Sequence, residues 1–194
     1  MPNIKILTGS TRPGRFNQQP ADWLYALAKA RGDMDVELID LAELNLPFLD
    51  EPVPPSLRQY QNEHTKEWSK RIDAADGFLF VTPEYNHSYS PALKNAIDYL
   101  FFEWHYKPVG FVSYGSLAGG ARAVEHLRGV SGEVKLYDLR EQVLFPNYWE
   151  NLDENGQYQF TERHAASANE LMDRLVFWAA EMKASRAKLE EAGE

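Results

Sequence analysis

The chain has 194 residues, 44% of them hydrophobic and 25% charged, which is the size of one domain with ample material for a core. A net charge of −9 argues against non-specific nucleic-acid binding, which needs a basic stripe to neutralise phosphates, so any anion site must be local. The absence of cysteine excludes disulfides, thiolate metal sites, iron–sulfur clusters and a thiol nucleophile, so redox chemistry would need a borrowed cofactor.

The chain opens on Ile4-Lys5-Ile6-Leu7-Thr8, an apolar run that predicts a buried strand over 4–8 and lacks the basic leader of a signal peptide. No stretch reaches the roughly 20 apolar residues of a membrane span, and the expectation is a cytoplasmic protein. The breaker-rich segment Gly9 to Gly14 leads into a helix over 17–30, with Trp23, Leu24, Leu27 and Ala28 at helical spacing and Arg31-Gly32 as its stop. A strand over 36–39 follows. Four prolines between residues 40 and 62 predict an irregular loop broken at most by one short helical turn. A helix over 66–75 then precedes Gly77-Phe78-Leu79-Phe80-Val81, a continuous apolar run suited to a strand buried on both faces. Helix 91–100, strand 109–113, helix 120–127, a strand within 139–144 and a helix over 162–187 complete the order, and residues 183–194 read as an exposed helical tail.

Five β-α repeats without a strand-only block predict a doubly wound α/β fold. Its five-stranded parallel sheet takes the flavodoxin-like order 2-1-3-4-5, in a single domain over 1–194. In such a sheet ligands bind outside the carboxyl ends of the strands, which singles out three loops. The first, Gly9-Ser10-Thr11-Arg12-Pro13-Gly14-Arg15-Phe16-Asn17-Gln18, offers hydroxyls, two guanidinium groups and the N–H groups of a helix start, a set suited to a phosphate dianion. It has the glycine spacing of a nucleotide-binding P-loop, but Arg15 and Phe16 stand where the lysine and the magnesium-binding hydroxyl belong. Taken alone it reads as an ordinary polar turn.

The second loop, Pro83-Glu84-Tyr85-Asn86-His87-Ser88, can present a ring face and amide donors to a flat heterocycle, or can be a proline-bounded turn filling a groove. The third, Ser113-Tyr114-Gly115-Ser116-Leu117-Ala118-Gly119-Gly120, lets backbone approach such a ligand closely, and lacks the spacing of a hydrolase nucleophile elbow. The five histidines are scattered with no metal-ligand spacing, so no metal is expected.

These three ordered motifs, with Pro91-Ala92-Leu93-Lys94-Asn95-Ala96-Ile97-Asp98-Tyr99-Leu100 after the second, resemble the NADPH-dependent FMN reductase family as far as the fourth helix. The resemblance implies FMN as cofactor and NADPH or NADH as co-substrate. Its phosphate would lie among Ser10, Arg12, Arg15, Phe16, Asn17 and Gln18. The isoalloxazine ring would lie between Pro83, Glu84, Tyr85 and Asn86 on one side and Ser113, Tyr114, Gly115, Ser116, Gly119 and Gly120 on the other. No catalytic side chain is implied, because the flavin carries the hydride chemistry in a ping-pong cycle ending on a quinone, azo compound, metal oxyanion or free flavin. Many members carry serine at the position of Arg15, whose charge is then free to meet the FMN phosphate or a nicotinamide-nucleotide phosphate. His87 is either a proton-tuning group or a surface hydrogen-bonder. Residues 101–106 read as a subunit interface of a homodimer or homotetramer, with core packing as the alternative. A flavodoxin-like electron carrier and a non-catalytic flavin-binding regulator share the expected fold and stay open at this stage.

Overall fold

The computed structural model describes residues 1–192. Five parallel strands, β1 (Asn3–Thr8), β2 (Asp35–Asp40), β3 (Gly77–Pro83), β4 (Pro108–Tyr114) and β5 (Tyr137–Phe145), lie in the order β2-β1-β3-β4-β5. Six helices surround them: α1 (Gln18–Arg31), α2 (Leu41–Leu44), α3 (Glu63–Asp73), α4 (Pro91–Asp98), α5 (Ala121–Glu133) and α6 (Glu162–Ala192). This is the doubly wound order expected from the alternation of elements.

The apolar run of β3 divides by the pleat. Leu79 and Val81 face one layer with Ile4, Ile6, Val112 and Val143, covered by Leu24 and Ala28 of α1 and Leu171 and Leu175 of α6. Phe78 and Phe80 face the other with Phe111, covered by Trp68 and Ile72 of α3, Leu93 of α4 and Leu127 of α5. Each of these side chains is fully buried, which contributes about 1.5–3 kcal/mol per large apolar group and explains why the sequence shows unbroken hydrophobicity instead of alternation.

Boundaries moved where tertiary contacts overrode local signals. Gly129 and Gly132 do not stop α5, which runs to Glu133 because Leu127 and Ser131 stay packed. The 40–62 segment holds two short turns instead of one, α2 and a 3-10 turn over Pro55–Leu57. The 101–106 segment splits: Trp104 and Glu103 are wholly buried, whereas Phe102 and Tyr106 are 40% and 41% exposed, so core packing claims half of the expected interface. The helical tail reaches Ala192 and is tied down in part, since Lys183 and Arg186 both bond the buried carboxylate of Asp76; residues 193–194 lie outside the described residues. No helix among the described residues is long and apolar enough to cross a membrane.

At the amino end of the sheet the ammonium of Lys107, 3% exposed, donates to the carbonyls of Ile72 (3.0 Å) and Asp73 (2.8 Å) that end α3. Burial pulls its pKa down to about 8, against the attraction of Asp73 and Asp76. The unfolded chain, with lysine near 10.5, therefore binds more protons than the folded one above pH 8, and stability rises with pH there. The window closes near pH 10, where unfolded tyrosines ionise while half-buried Tyr60 and buried Tyr99 and Tyr114, all with raised pKa values, stay protonated in the fold. Urea unfolding is expected to show a gain of about 2 kcal/mol from pH 8 to pH 10. In Lys107→Met this rise should vanish.

Candidate active site

Strand register brings the three loops level. Thr8 pairs with Asp40 on one side and Val81 on the other, Pro83 with Tyr114, and Tyr114 with Phe145, so the chain leaves β1, β3 and β4 side by side at one edge. Gly9 N–H donates to the carbonyl of Val81 at 2.7 Å, and the Ser90 hydroxyl donates to the carbonyl of Gly9, fastening the first loop to the second.

Within the first loop Asn17 is the decisive residue. It is wholly buried at the head of α1, makes no side-chain cap, and neither its Oδ1 nor its Nδ2 has a hydrogen-bond partner among the described residues. The N–H groups of Phe16, Asn17 and Gln18 likewise have no backbone acceptor among the described residues. A buried unpaired amide costs about 1–3 kcal/mol, so a cluster of idle donors at a helix N-terminus marks a place where an anion completes the structure.

Two expectations for this loop change. The ring of Phe16 turns inward, stacked on Tyr148 at 4.2 Å and edge-on to Tyr114 at 5.1 Å, so only its backbone N–H is left for a ligand. Arg15 is not a free charge: its guanidinium is paired with Asp40, whose other oxygen accepts from Thr8 Oγ1 and the Ala42 N–H, both at 2.9 Å. The buried Nε of Arg15 keeps no hydrogen-bond partner among the described residues. Arg12, exposed and without a carboxylate partner among the described residues, is the cation left at this loop. Asp40 was missed in the sequence because nothing local marks it; it is the residue where β2 ends.

The second loop is a tight hairpin. Tyr85 and Ser88 exchange backbone hydrogen bonds of 2.8 and 3.0 Å around Asn86 and His87, both left-handed at φ 50° and 69° and both exposed. His87 thus sits at the tip, in the surroundings of a surface group. The phenol of Tyr85 reaches back to Ser10 Oγ at 2.7 Å. The neighbouring Tyr114 phenol is pushed up by burial, with the Tyr85 phenol adding to the shift and the Ser10 hydroxyl opposing it. Ser10, Tyr85 and Tyr114 form a hydroxyl cluster between the first loop and the other two.

In the third loop Ser113 Oγ donates to the carbonyl of Gly119 at 3.0 Å, curling the chain back on itself. Gly120, at φ 91°, fits there because it has no Cβ: one would lie 2.6 Å from Ser113 Cβ and 2.9 Å from Tyr114 N. Ser116 is exposed at the rim, while Gly115, Gly119 and Gly120 are buried. Glu84, on the second loop, pairs with Arg122 at the start of α5.

Beside Thr11 of the first loop a cavity of about 530 Å³ opens between α2, the following loop and α4, lined largely by apolar groups including Leu41, Leu46, Phe48 and Ala92. A larger hollow of about 640 Å³ lies elsewhere, against α5, β5 and α6. Arg128 there pairs with Asp138 and Glu125, while the buried Oε1 of Gln142 has no hydrogen-bond partner among the described residues.

Residues 2–150 match the family profile described as NADPH-dependent FMN reductase. The chain belongs to this family. An NAD(P)H-dependent FMN reductase of Schizosaccharomyces pombe is 42% identical over 137 residues, covering 70% of this chain and 68% of that one. A 2-hydroxy-1,4-benzoquinone reductase of a Burkholderia species is 30% identical over 185 residues, 90% of this chain and 94% of the other. Among solved structures, the flavoenzyme NAD(P)H:(acceptor) oxidoreductase FerB of Paracoccus denitrificans superposes with a TM-score of 0.73 at 24% identity, over 94% of this chain and 99% of that one, a likeness of fold. As an FMN reductase family member the chain is an oxidoreductase with FMN as its cofactor and NAD(P)H as its co-substrate.

Proposed function

We propose that the FMN phosphate sits in the 10–18 loop, that the isoalloxazine ring lies between the 83–86 and 113–120 loops, and that a quinone is the electron acceptor. The observation that carries the reading is Asn17: a buried amide with no partner, beside idle N–H groups and the unpaired charge of Arg12, is a donor set for a phosphate dianion. The residues present fit FMN, since the buried unpartnered amide and the idle N–H groups at the head of α1 suit its phosphate.

When bound, FMN supplies two-electron transfer from NAD(P)H to the acceptor. The chain itself has four tasks. Ser10, Asn17 and the N–H groups at the head of α1 hold the phosphate, with Arg12 adding charge. Asp40 holds Arg15 and so keeps the loop against β2. Backbone N–H groups of the hairpin tip and of the third loop that have no backbone acceptor among the described residues would supply donors to the polar edge of the ring. The Tyr85 phenol, bonded to Ser10 Oγ, and the buried Tyr114 phenol, whose pKa burial raises, fill the space between the phosphate and ring ends.

We also propose a homodimer or homotetramer in the cytoplasm. Phe48, Leu57 and Phe102, 84%, 54% and 40% exposed, are large apolar groups that support a subunit contact. The test is to add FMN to the purified chain, remove oxygen, supply NADPH or NADH and follow the loss of the oxidised flavin bands, then re-oxidise with a benzoquinone, an azo dye or chromate. Fast bleaching and fast re-oxidation by the quinone are the expected result; FMN bound but not bleached by either nucleotide would indicate a carrier. Light scattering on the same sample should give a multiple of the 22.2 kDa chain mass.

A further inference from the structure

Glu84 follows β3 directly, and its carboxylate, only 5% exposed, takes all its donors from a single residue 38 positions away. Arg122 gives it Nε at 2.6 Å, Nη2 in the ion pair and the backbone N–H at 3.2 Å. The backbone N–H of Glu84 donates to the carbonyl of Tyr114 at 2.9 Å. One helical turn past Arg122, a ring nitrogen of His126 meets Ser88 Oγ at 3.0 Å. Arg122 and His126 lie on one face of α5, so the hairpin is joined to that helix at both of its ends.

Sheet register already fixes the roots of the second and third loops, Pro83 opposite Tyr114. These contacts fix what lies beyond the roots. A carboxylate buried this deeply is expensive to desolvate unless its partner is well placed, and an apolar pair would hold the same packing without that cost. The ionic pair therefore has a use that packing alone does not explain. The Arg122 guanidinium is 41% exposed, so the paired charge is open to solvent where the second loop meets the start of α5.

We propose that Glu84 and Arg122 are positioning residues for the ring: their clasp sets the separation of the 83–86 and 113–120 loops, and their mutual neutralisation sets the reduction potential of FMN held between them. The inference rests on the FMN reading given above. An uncompensated positive charge beside the slot favours the electron-rich form and an uncompensated negative charge disfavours it. Opening the clasp from either side thus loosens the slot alike, but shifts the potential in opposite directions.

The experiment compares wild type, Glu84→Gln, Arg122→Gln and Arg122→Lys, each stripped of FMN, titrated with FMN by fluorescence quenching, and reloaded for potential measurement against redox dyes. Both glutamine variants are expected to bind FMN at least tenfold more weakly, with the potential raised in Glu84→Gln and lowered in Arg122→Gln. Arg122→Lys keeps the charge but loses the two-pronged grip, so its affinity falls while its potential stays near wild type. Unchanged affinity and potential in the variants overturn the proposal, as do potential shifts of the same sign. If Glu84→Gln does not fold, the half-exposed Arg122 pair decides: equal potentials for the lysine and glutamine variants overturn it. A wild-type chain that fails to bind FMN overturns the functional reading, and this inference falls with it; a wild type that binds normally beside indifferent variants overturns the clasp alone.

Discussion

Replacing Asn17 with leucine is expected to weaken FMN binding by roughly ten- to a hundredfold while leaving the FMN-free protein at least as stable as wild type. The side chain is wholly buried, and neither polar atom has a partner among the described residues. A hydrogen bond from such an amide to a charged acceptor is worth about 1.5–3 kcal/mol, which sets the affinity loss. In the FMN-free protein the same amide is a desolvated group with nothing to bond, and leucine fills nearly the same volume without that penalty. Thermal unfolding without FMN, paired with an FMN titration, separates the two effects. A lower melting temperature with unchanged affinity would make Asn17 a structural residue and remove the phosphate from this loop.

Gly120→Ala should be the most damaging single methyl in the site. At φ 91° a side chain is strained, and its Cβ would stand 2.6 Å from Ser113 Cβ and 2.9 Å from the backbone nitrogen of Tyr114. The nitrogen belongs to the end of β4 and cannot retreat without breaking the sheet pairing of Tyr114 with Pro83 and Phe145. Backbone strain and overpacking each cost about 1–3 kcal/mol, so a destabilisation of about 3–5 kcal/mol is expected, with FMN affinity lost as the third loop is pushed out of shape. Gly14→Ala is the control. That glycine also has positive φ, at 65°, but an added Cβ meets nothing within 4 Å, so only the backbone part of the cost should remain. Urea unfolding of the two variants measures the contribution of the close contact by difference; equal destabilisation would mean that the curl of 113–120 is not tightly packed.

The architecture was legible because its signals are local. The spacing of Trp23, Leu24, Leu27 and Ala28 reports a helix face, and the unbroken run Phe78 to Val81 reports a strand covered on both sides. Once the elements alternate, the handedness of β-α-β crossovers leaves few sheet orders, and β2-β1-β3-β4-β5 is among them. That rule also names the loops after β1, β3 and β4 as neighbours without any knowledge of their side chains. Where local signals misled, the cause was packing: the helix expected over 120–127 continues as α5 to Glu133, carried through Gly129 by the buried Leu127 and Ser131 on either side.

What the sequence by itself determined, then, is the order of elements, the class of sheet and the three loops that meet at its carboxyl edge, because those follow from periodicity within a few residues and from chain chirality. Only the tertiary structure decided which groups are spoken for. Arg15 is cancelled by Asp40, Phe16 is drawn into the core by Tyr148, and Glu84 is held by Arg122, while Asn17 is left buried with its donors idle. These pairings join residues 25 to 132 positions apart, and no local pattern encodes them. Whether a side chain is free to meet a ligand depends on which chain ends the sheet brings together, and on how much water each group loses when it does.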